Sequence, residues 1–264
     1  MLVIKIGGSV RDVRPLLEDV ARCEERCVLV HGASRELNEL STALGHPPRH
    51  VTSERGEVSR YTDGETMNHF LMAYAGKVNK RIVEQLRSLG VNAAGLTAMD
   101  GGIASGRRRP HLRIRENGKV KVLHDDHTGS IERIDVRLVR LLGDNGYLPV
   151  LSPPAISHDG EAINIDGDRL AMGLAIELGA ERLLIFADTP GLLEDPADDS
   201  TLIPRVRACE VEQRLAGVHG RVRVKLRIAQ QALERGLAAV ILADGRRENP
   251  LRAALAGSGT WIVP

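Results

Sequence analysis

Aromatic side chains are scarce in this sequence of 264 residues, which holds two Phe, one Trp and three Tyr. The stacking platforms of a single-strand nucleic-acid binder are therefore missing, and the core must be built from Leu, Val, Ile and Ala. The three cysteines, Cys23, Cys27 and Cys209, are too few and odd in number for a disulfide framework. No apolar run approaches the length of a membrane span, and the first residues lack the features of a signal peptide. We expect a cytoplasmic protein with no membrane or nucleic-acid partner.

Two common nucleotide-binding signatures are also missing. No G-x-x-x-x-G-K-[ST] loop occurs, and no G-x-G-x-x-G follows the first predicted strand. The net charge is only +1, so any electrostatic recognition must come from locally clustered charges. A content of 42% hydrophobic and 27% charged residues is typical of a globular protein with a sizeable core. At this length we expect one large α/β domain or two fused α/β lobes.

The first 45 residues contain the order strand, glycine turn, helix twice. Residues 2–6 and 27–30 have the pattern of buried strands, which end at Gly7-Gly8 and at Gly32-Ala33. This alternation predicts a parallel sheet covered by helices. Ligands of such sheets bind beyond the carboxyl ends of the strands, so the two turns together would form a phosphate cradle of backbone N–H groups. A purely structural role is the more common one for glycine turns taken alone.

The same kind of pattern continues along the chain. Thr62 and Glu65 have the spacing of a capping box, which predicts a long helix to about Leu89, and Ser130 is expected to cap the next helix. Further strands are predicted at residues 91–96, 147–151, 183–187 and 239–243, with a helix at about 221–235.

Residues 111–123 have the alternation of a β-hairpin around Asn117-Gly118. Apolar positions alternate there with four cations, which are Arg113, Arg115, Lys119 and Lys121. A two-residue loop would pair Ile114 with Lys121 and mix the two faces. A three-residue loop with Gly118 in the left-handed conformation would pair Ile114 with Val120 and Arg113 with Lys121. We predict the second register, because only that register separates the faces.

The predicted register stacks the four cations on one face of the hairpin, extended by the arginines at 107–109. Like charges opposite one another destabilise a sheet, so the arrangement favours an anionic partner. A solvated edge strand that its charges protect from aggregation is an equally good alternative. Among anionic partners, an acidic protein fits better than a nucleic acid, since aromatics are few and the net charge is near zero.

Lys5 stands inside an otherwise apolar strand, just before the first glycine pair. An unpaired ammonium is costly to bury, so Lys5 is either paired or reaches into a site at the end of the strand. Asn164, Asp166 and Asp168 bring an amide and two carboxylates to a strand-to-helix junction, where helix capping is the alternative. Lys225 is by itself only an exposed helix charge. The segment at 124–127, His-Asp-Asp-His, places its side chains in different directions, so we predict no protein-bound metal.

Several segments stand in the order of the amino acid kinase family. They are Lys5-Ile-Gly7-Gly8, Val30-His31-Gly32, Arg60-Tyr-Thr-Asp63, Asn164 through Asp168, Asp188-Thr-Pro-Gly191 and Gly220 through Lys225. The sequence resembles the acetylglutamate kinase branch, and within it the kinases that act on aminoadipate or glutamate linked to a small acidic carrier protein of the LysW type. The cues for that sub-branch are the basic hairpin and the segments at 59–63, 74–80 and 146–156.

The resemblance covers nearly the whole chain and implies a fold. That fold is an α/β, three-layer αβα sandwich with a mainly parallel, open central sheet, the amino acid kinase fold. Residues 1–178 would form an N-terminal lobe for acceptor binding and dimerisation, and residues 179–264 a C-terminal lobe for ATP. A homodimer joined edge to edge through its central sheets is implied as well.

The resemblance also implies roles for individual residues. Lys5 and Lys225 would flank the transferring phosphoryl group from opposite lobes, and Asp168 would hold both ammonium groups in position. The other implied positions are Gly7, Gly8, Gly32 and Ala33 at the phosphate; Arg60, Tyr61 and Asn164 at the acceptor; Asp188, Thr189, Gly191, Leu192 and Gly220 at the nucleotide; and Arg113, Arg115, Lys119 and Lys121 at the carrier protein. Ala33 and His219 stand where family members often have glycine, which is expected to reshape the cradle and the nucleotide contacts.

The chemistry implied is transfer of a phosphoryl group from ATP to a side-chain carboxylate, in lysine or arginine biosynthesis. No general base is needed, because the acceptor is already ionised at neutral pH. Positioning, cations and the Mg²⁺ that accompanies ATP bring the two anions together. A kinase of free N-acetylglutamate is the first alternative, and a non-catalytic nucleotide-binding protein on the same fold is the more remote one.

Overall fold

The computed structural model describes residues 1–54, 58–116, 119–215, 217–218 and 220–264. The strands are β1 (Leu2–Ile6), β2 (Cys27–His31), β3 (His50–Thr52), β4 (Val58–Arg60), β5 (Ala93–Thr97), β6 (Ala104–Arg108), β7 (His111–Glu116), β8 (Lys119–His124), β9 (Gly129–Ile134), β10 (Leu148–Ser152), β11 (Ala155–Ser157), β12 (Ala162–Ile163), β13 (Arg182–Ala187), β14 (Arg205–Arg207), β15 (Ala239–Asp244) and β16 (Thr260–Val263). The helices are α1 (Arg14–Ala21), α2 (Ser34–Ala43), α3 (Gly64–Leu71), α4 (Asn79–Ser88), α5 (Arg137–Asp144), α6 (Gly167–Leu178), α7 (Val211–Leu215), α8 (Gly220–Glu234) and α9 (Pro250–Leu255). A π-helical segment, Met72–Val78, joins α3 to α4.

The central sheet has eight strands in the order β14-β16-β15-β13-β1-β2-β10-β5, and in the described residues the other strands form a four-stranded sheet, β12-β11-β6-β9, and the two hairpins β3-β4 and β7-β8. Its neighbouring strands are parallel except for the pair of β15 with β16. Because β1 pairs with β2 on one side and with β13 on the other, the carboxyl ends of these three strands lie side by side. The turns that follow them are therefore neighbours in space.

Helices cover both faces of the central sheet. Val3 of β1 belongs to a core formed with apolar residues of α6 and α8 on one face. Leu2 and Ile4 belong to a second core, formed with α1, α4 and α9 on the other face. Alternate residues of a strand point to opposite faces, so the two cores lie on opposite sides of the sheet. This architecture confirms the predicted three-layer αβα sandwich with a mainly parallel sheet.

Two predicted helix starts are wrong. Ser130 lies within β9, which pairs with β6, and the next helix begins only at Arg137, whose N–H donates to Asp135 Oδ1 at 3.1 Å. The long helix is capped by Asp63, which accepts a hydrogen bond from the Thr66 N–H at 2.8 Å. Thr62 cannot fill that role, because it is fully buried and its hydroxyl accepts from a distant side chain.

The predicted register of the β7–β8 hairpin is also wrong. Ile114 pairs with Lys121, Arg113 with Val122 and Arg115 with Val120, which is the two-residue register. Directly opposed residues share a face, so each face carries two of the four cations and there is no single cationic face. The predicted left-handed conformation of Gly118 lies outside the described residues.

Acidic neighbours and the burial of Ile114 explain this register. Ile114 is 1% exposed and packs toward the body of the protein, with a bridge to Ser53. On the same face, Lys121 forms an ion pair with Glu116. On the other face, Arg113 forms an ion pair with Glu54 at 3.1 Å. The charges on this hairpin are therefore partly neutralised within the protein itself.

The predicted division into two lobes falls at the end of α6. Gly179 follows that helix in the left-handed conformation, with φ of 67°, and β13 begins shortly after it. The central sheet is continuous across this point, and the division stays a prediction. Of the helices in the described part of the chain, none has the length and apolar character needed to cross a membrane.

Candidate active site

Three charged side chains from different elements meet at the carboxyl edge of the central sheet. Lys5 shares a face of β1 with Val3, and that face is covered by α6 and α8. Its Nζ lies 2.6 Å from Oδ1 of Asp168, in the first turn of α6. Lys225 of α8 donates a hydrogen bond from Nζ to Oδ2 of the same carboxylate at 3.2 Å. Two lysines from distant parts of the chain therefore converge on one carboxylate.

The three groups are almost completely removed from water. The side chains of Lys5, Asp168 and Lys225 are 10%, 12% and 14% exposed. Burial alone would raise the pKa of Asp168, but the ammonium groups of Lys5 and Lys225 outweigh it and lower that pKa to about 2. Burial lowers the pKa of Lys225 against the opposing effect of Asp168, and Lys5 lowers it further. Two cations around one anion leave a net positive charge, which suits a site for a phosphoryl group.

The two glycine turns pack directly against each other beside this cluster. A Cβ on Gly32 would lie 2.8 Å from the Gly8 nitrogen, and a Cβ on Gly8 would lie 2.5 Å from the Ser34 nitrogen. Only residues without side chains allow this approach. Ser34 begins α2, so the turn of Gly8 faces the positive end of a helix dipole.

The backbone donors of the turns differ from the expectation. The Gly7 N–H donates to Phe186 O at 2.8 Å and the Gly32 N–H to Ile6 O at 2.9 Å, so both are already used by the sheet. The N–H of Ala33 interacts with the Tyr74 hydroxyl. The N–H of Gly8 has no acceptor among the described residues. Gly8 can therefore offer its N–H to a ligand, whereas Gly32 contributes mainly its lack of a Cβ, which corrects the expectation for Gly32.

The predicted acceptor residues come from the end of β4 and from the segment that follows β12. Arg60 ends β4, and its Nη1 is buried without a hydrogen-bond partner among the described residues. Asn164 follows β12 and donates to the Thr62 hydroxyl at 3.0 Å. The Tyr61 hydroxyl donates to the carbonyl oxygen of His124, so it braces the base of the β7–β8 hairpin. Arg60 is thus the predicted acceptor residue with an unused donor.

A buried carboxylate that the sequence interpretation passed over supports Asn164. Asp126 is fully buried, accepts from the Thr62 N–H at 3.3 Å and also accepts from the Thr128 hydroxyl. Burial raises the pKa of this carboxyl, although its hydrogen bonds lower it in part. Thr62 connects Asp126 to Asn164 and so fixes the amide. In the sequence Asp126 was visible only as part of an unconvincing metal motif.

His31 is a second buried polar group beside the glycine turns. It is completely buried, and burial lowers its pKa to about 4. Its Nε2 lies 3.1 Å from the Asn79 amide nitrogen, which donates in turn to Val150 O at 3.0 Å. His31 is therefore a neutral acceptor in the core. Its sequence signal was only its place in the motif before Gly32.

The predicted nucleotide residues follow β13, next to Lys225. A small cavity there is lined by Thr189, Gly191 and Lys225 among others. The Leu192 N–H donates to the Thr260 hydroxyl at 2.8 Å, which ties this loop to β16. Asp188 is exposed at the end of the strand. Gly220 begins α8 with φ of 61°, a conformation that favours glycine, and His219 lies outside the described residues.

The basic hairpin residues divide into two classes. Arg113 and Lys121 are held by Glu54 and Glu116, whereas Arg115 and Lys119 have no ion-pair partner among the described residues. Arg115 shares its face with Val120 and Val122, which are each 47% exposed. This face combines free positive charge with apolar surface. As for metals, the described side chains of His, Cys, Asp and Glu form no group of three that could hold an ion.

Comparison with known proteins assigns this architecture to a family. A sequence model of the amino acid kinase family matches residues 1–243. The chain belongs to the amino acid kinase family. Its members named as kinases are phosphotransferases that use ATP.

Two relatives cover almost the full chain. A [LysW]-aminoadipate kinase of Deinococcus radiodurans is 47% identical over 99% of this chain and 91% of its own length. A [LysW]-aminoadipate kinase of Thermus thermophilus is 44% identical over 99% of this chain and 100% of its own length. The predicted resemblance to the amino acid kinase family, and within it to kinases of carrier-linked aminoadipate, is confirmed.

Solved structures support the fold. An N-acetylglutamate synthase from Neisseria gonorrhoeae, complexed with coenzyme A and N-acetyl-glutamate, aligns over 100% of this chain with a TM-score of 0.80 and 25% identity. This chain spans 59% of the length of that synthase. A carbamate kinase from Giardia lamblia bound to AMP-PNP aligns over 99% of the chain with a TM-score of 0.69 at 14% identity, a likeness of fold alone.

Proposed function

We propose that this protein is an ATP-dependent kinase that phosphorylates the side-chain carboxylate of aminoadipate or glutamate attached to a LysW-type carrier protein, in lysine or arginine biosynthesis. The observation that carries the proposal is the pair of buried ammonium groups on one carboxylate, next to the glycine turns. A protein that only bound nucleotide would have no need to bury two lysines and an aspartate together. The names and the high identity of the relatives support the acceptor.

In the proposed reaction an oxygen of the acceptor carboxylate bonds to the γ-phosphorus of ATP. The bond from that phosphorus to the bridging oxygen breaks, so ADP leaves and an acyl phosphate forms. Lys5 and Lys225 offset the negative charge of the γ-phosphate oxygens, and Asp168 fixes the positions of both ammonium groups. The N–H of Gly8, which has no acceptor among the described residues, adds a donor for the same oxygens. No proton has to be removed, because the acceptor is ionised.

The remaining predicted residues have supporting roles in this proposal. Arg60 and Asn164 bind the α-carboxylate and the neighbouring amide of the acceptor. The loop of Asp188, Thr189, Gly191 and Leu192, with Gly220, lies against the nucleotide. Mg²⁺ enters with ATP and offsets phosphate charge, and no described group of side chains forms a site for a metal of its own. The acceptor side belongs to residues 1–178 and the nucleotide side to residues 179–264.

We propose that the β7–β8 hairpin is where the acidic carrier protein docks. Arg115 and Lys119, which have no ion-pair partner among the described residues, can pair with carboxylates of a partner without breaking an ion pair described there. The apolar surface at Val120 and Val122 lies beside Arg115 and gives a docked protein something to bury. A small free acceptor such as N-acetylglutamate is too small to need this surface. Only the reaction of a carrier-linked acceptor is therefore expected to depend on the hairpin.

A hydroxylamine trap for acyl phosphate tests the proposal. The wild-type protein is incubated with ATP and either carrier-linked aminoadipate, carrier-linked glutamate or free N-acetylglutamate. We expect hydroxamate from a carrier-linked acceptor. The double variant Arg115→Glu/Lys119→Glu should lose at least tenfold in kcat/KM for the carrier-linked acceptor, and Arg205→Glu, an exposed charge change on β14, should not.

The outcomes separate the candidates. Hydroxamate from free N-acetylglutamate alone would assign the first alternative, and no hydroxamate from any acceptor would leave a non-catalytic nucleotide-binding protein. A carrier reaction that the double variant leaves unchanged would refute the role of the hairpin.

We also propose a cytoplasmic homodimer joined through the central sheets. The edge strand β5 ends the sheet on the acceptor side and could extend it across a two-fold axis. Sedimentation equilibrium at several concentrations tests this state, since a monomer at every concentration would contradict it.

A further inference from the structure

Three cationic or titratable side chains lie within electrostatic range of one another on the acceptor side of the site. His50 and Arg60 are directly opposed across β3 and β4, so their side chains share a face of that hairpin. Arg221, in the first turn of α8, acts on both of them electrostatically. The two arginines come from opposite sides of the proposed lobe division. We refer to His50, Arg60 and Arg221 as the cationic cluster.

No described carboxylate balances this cluster. Burial lowers the pKa of Arg60, the Tyr74 hydroxyl raises it, and Arg221 lowers it. Burial also lowers the pKa of His50, and Arg60 and Arg221 add to that effect. Asp166 acts on Tyr74 and on Lys225, but its Oδ1 caps α6 by accepting from the Arg169 N–H at 2.8 Å. Positive charges held together without a counterion are typical of a site whose anion arrives with a ligand.

The clearest sign of a ligand-binding site is on Arg60. Its Nη1 is buried and has no hydrogen-bond partner among the described residues. A buried donor that makes no hydrogen bond destabilises the folded protein. A bound acceptor atom would remove that penalty. A carboxylate is the natural occupant, because its two oxygens can accept from two guanidinium groups at once.

The helix α8 fixes how this cluster relates to the phosphoryl site. Arg221 and Lys225 are four residues apart on α8, so they lie on one face of the helix, about 6 Å apart along its axis. In the proposed reaction Lys225 lies at the phosphoryl group that is transferred to the reacting end of the acceptor. Arg221 therefore stands about one helical turn away, at the distance of a second charged group on the same small molecule.

We propose that Arg221 is a second acceptor-binding residue, which shares with Arg60 the carboxylate that is not phosphorylated. This inference rests on the proposed function and adds a requirement to it: the carboxylate that is not phosphorylated must be present for the acceptor to bind Arg221. Because Arg221 and Lys225 lie on the same helix, the first turns of α8 would contact the unreactive carboxylate through Arg221 and the transferring phosphoryl group through Lys225. A molecule with only the reacting carboxylate would lose the second contact.

A binding experiment with two probes tests the proposal without turnover. The dicarboxylate probe is N-acetyl-2-aminoadipate, and the monocarboxylate probe is 5-acetamidopentanoate, which is the same molecule without its α-carboxylate. Calorimetry gives the Kd of each probe for the wild-type protein, Arg221→Ala and Arg221→Lys. Arg227→Ala is the matched control, since Arg227 is an exposed arginine on the same helix.

We expect Arg221→Ala to raise the Kd of the dicarboxylate about 10-fold or more, as loss of a charge-assisted hydrogen bond does. The Kd of the monocarboxylate should change less than twofold, Arg221→Lys should bind between the two, and Arg227→Ala should match the wild type. In turnover, the KM for the acceptor should rise while the KM for ATP and kcat stay within threefold.

Three results would overturn the inference. They are an equal loss for both probes, no loss for either, and no measurable binding of the dicarboxylate by the wild-type protein. A failure of the proposed function looks different. In that case the dicarboxylate binds with the expected dependence on Arg221, but no acyl phosphate is trapped with any acceptor.

Discussion

The substitution Asp168→Asn removes the shared counterion of Lys5 and Lys225 while keeping the shape of the side chain. In the wild-type protein the two ammonium groups lower the pKa of Asp168 from 3.8 to about 2 in spite of its burial. That difference in pKa corresponds to about 2 kcal/mol by which the folded protein stabilises the ionised form of Asp168 over the protonated form, relative to an ordinary aspartate. The side chain is only 12% exposed, so solvent screens this interaction little.

Two consequences follow from the loss of the carboxylate. The folded protein should lose about 2 kcal/mol of unfolding free energy at neutral pH, because two buried ammonium groups then repel each other without compensation. The pKa of Lys225 should fall further, because Asp168 is the group that opposes its burial. If misplacement and partial neutralisation of the lysines cost about 2 kcal/mol in the transition state, kcat falls about 30-fold.

The assay compares Asp168→Asn with Asp159→Asn, an exposed aspartate in a turn. Hydroxamate formation with saturating ATP and carrier-linked acceptor gives kcat, and urea unfolding gives the free energy of unfolding. Asp159→Asn should behave as the wild type in both. If Asp168→Asn folds as stably as the wild type and keeps kcat within threefold, the two lysines do not depend on Asp168 and the reasoning fails.

Two further predictions concern the glycine turns and acid stability. Gly8→Ala should abolish activity, because its Cβ would lie 2.5 Å from the Ser34 nitrogen. The control is Gly143→Ala in α5, where a Cβ has open space, and this variant should unfold at the same urea concentration as the wild type or at a higher one. An active Gly8→Ala variant would contradict the close approach of the two turns. His31 has a pKa of about 4 when folded and 6.5 in the reference state, so the unfolded chain takes up its proton first as the pH falls. The free energy of unfolding should therefore drop by up to about 3 kcal/mol between pH 7 and pH 4, and a pH profile that His31→Gln leaves equally steep would contradict this.

The layered fold could be predicted from the sequence, because the patterns that indicate it are local. Buried strands that end in glycine and lead into amphipathic helices predict a parallel sheet with helices on both faces, and the structure has both. The errors at Ser130 and Thr62 share one cause. Each residue has the right type for a helix cap. The segment of Ser130 instead pairs with β6 as a strand, and the hydroxyl of Thr62 accepts a hydrogen bond from Asn164. Local propensity was outweighed by contacts between distant segments.

The hairpin register failed for a related reason. Separating apolar from basic residues is a sound criterion when the charges have no other partners. Here Glu54 and Glu116 neutralise Arg113 and Lys121, so a mixed face costs little and Ile114 can be buried. Glu54 belongs to a different segment from the hairpin, and no spacing rule connects it to Arg113. Among the described residues, Arg115 and Lys119 are the hairpin cations of the four that have no ion-pair partner, so their substitution tests docking of the carrier protein.

The site residues that the sequence revealed are those that break a local rule. Lys5 is a charge in a buried strand, and a pattern of apolar residues makes such an exception visible. Arg221 breaks no rule, because it is one of several arginines at the start of an amphipathic helix and is exposed. Its significance comes from Arg60 of a distant strand, on which it acts electrostatically and whose buried Nη1 has no hydrogen-bond partner among the described residues. The role proposed for Arg221 depends on a residue far away in the chain, so the neighbouring sequence does not reveal it. The three-dimensional structure reveals it, and the variant Arg221→Ala tests it.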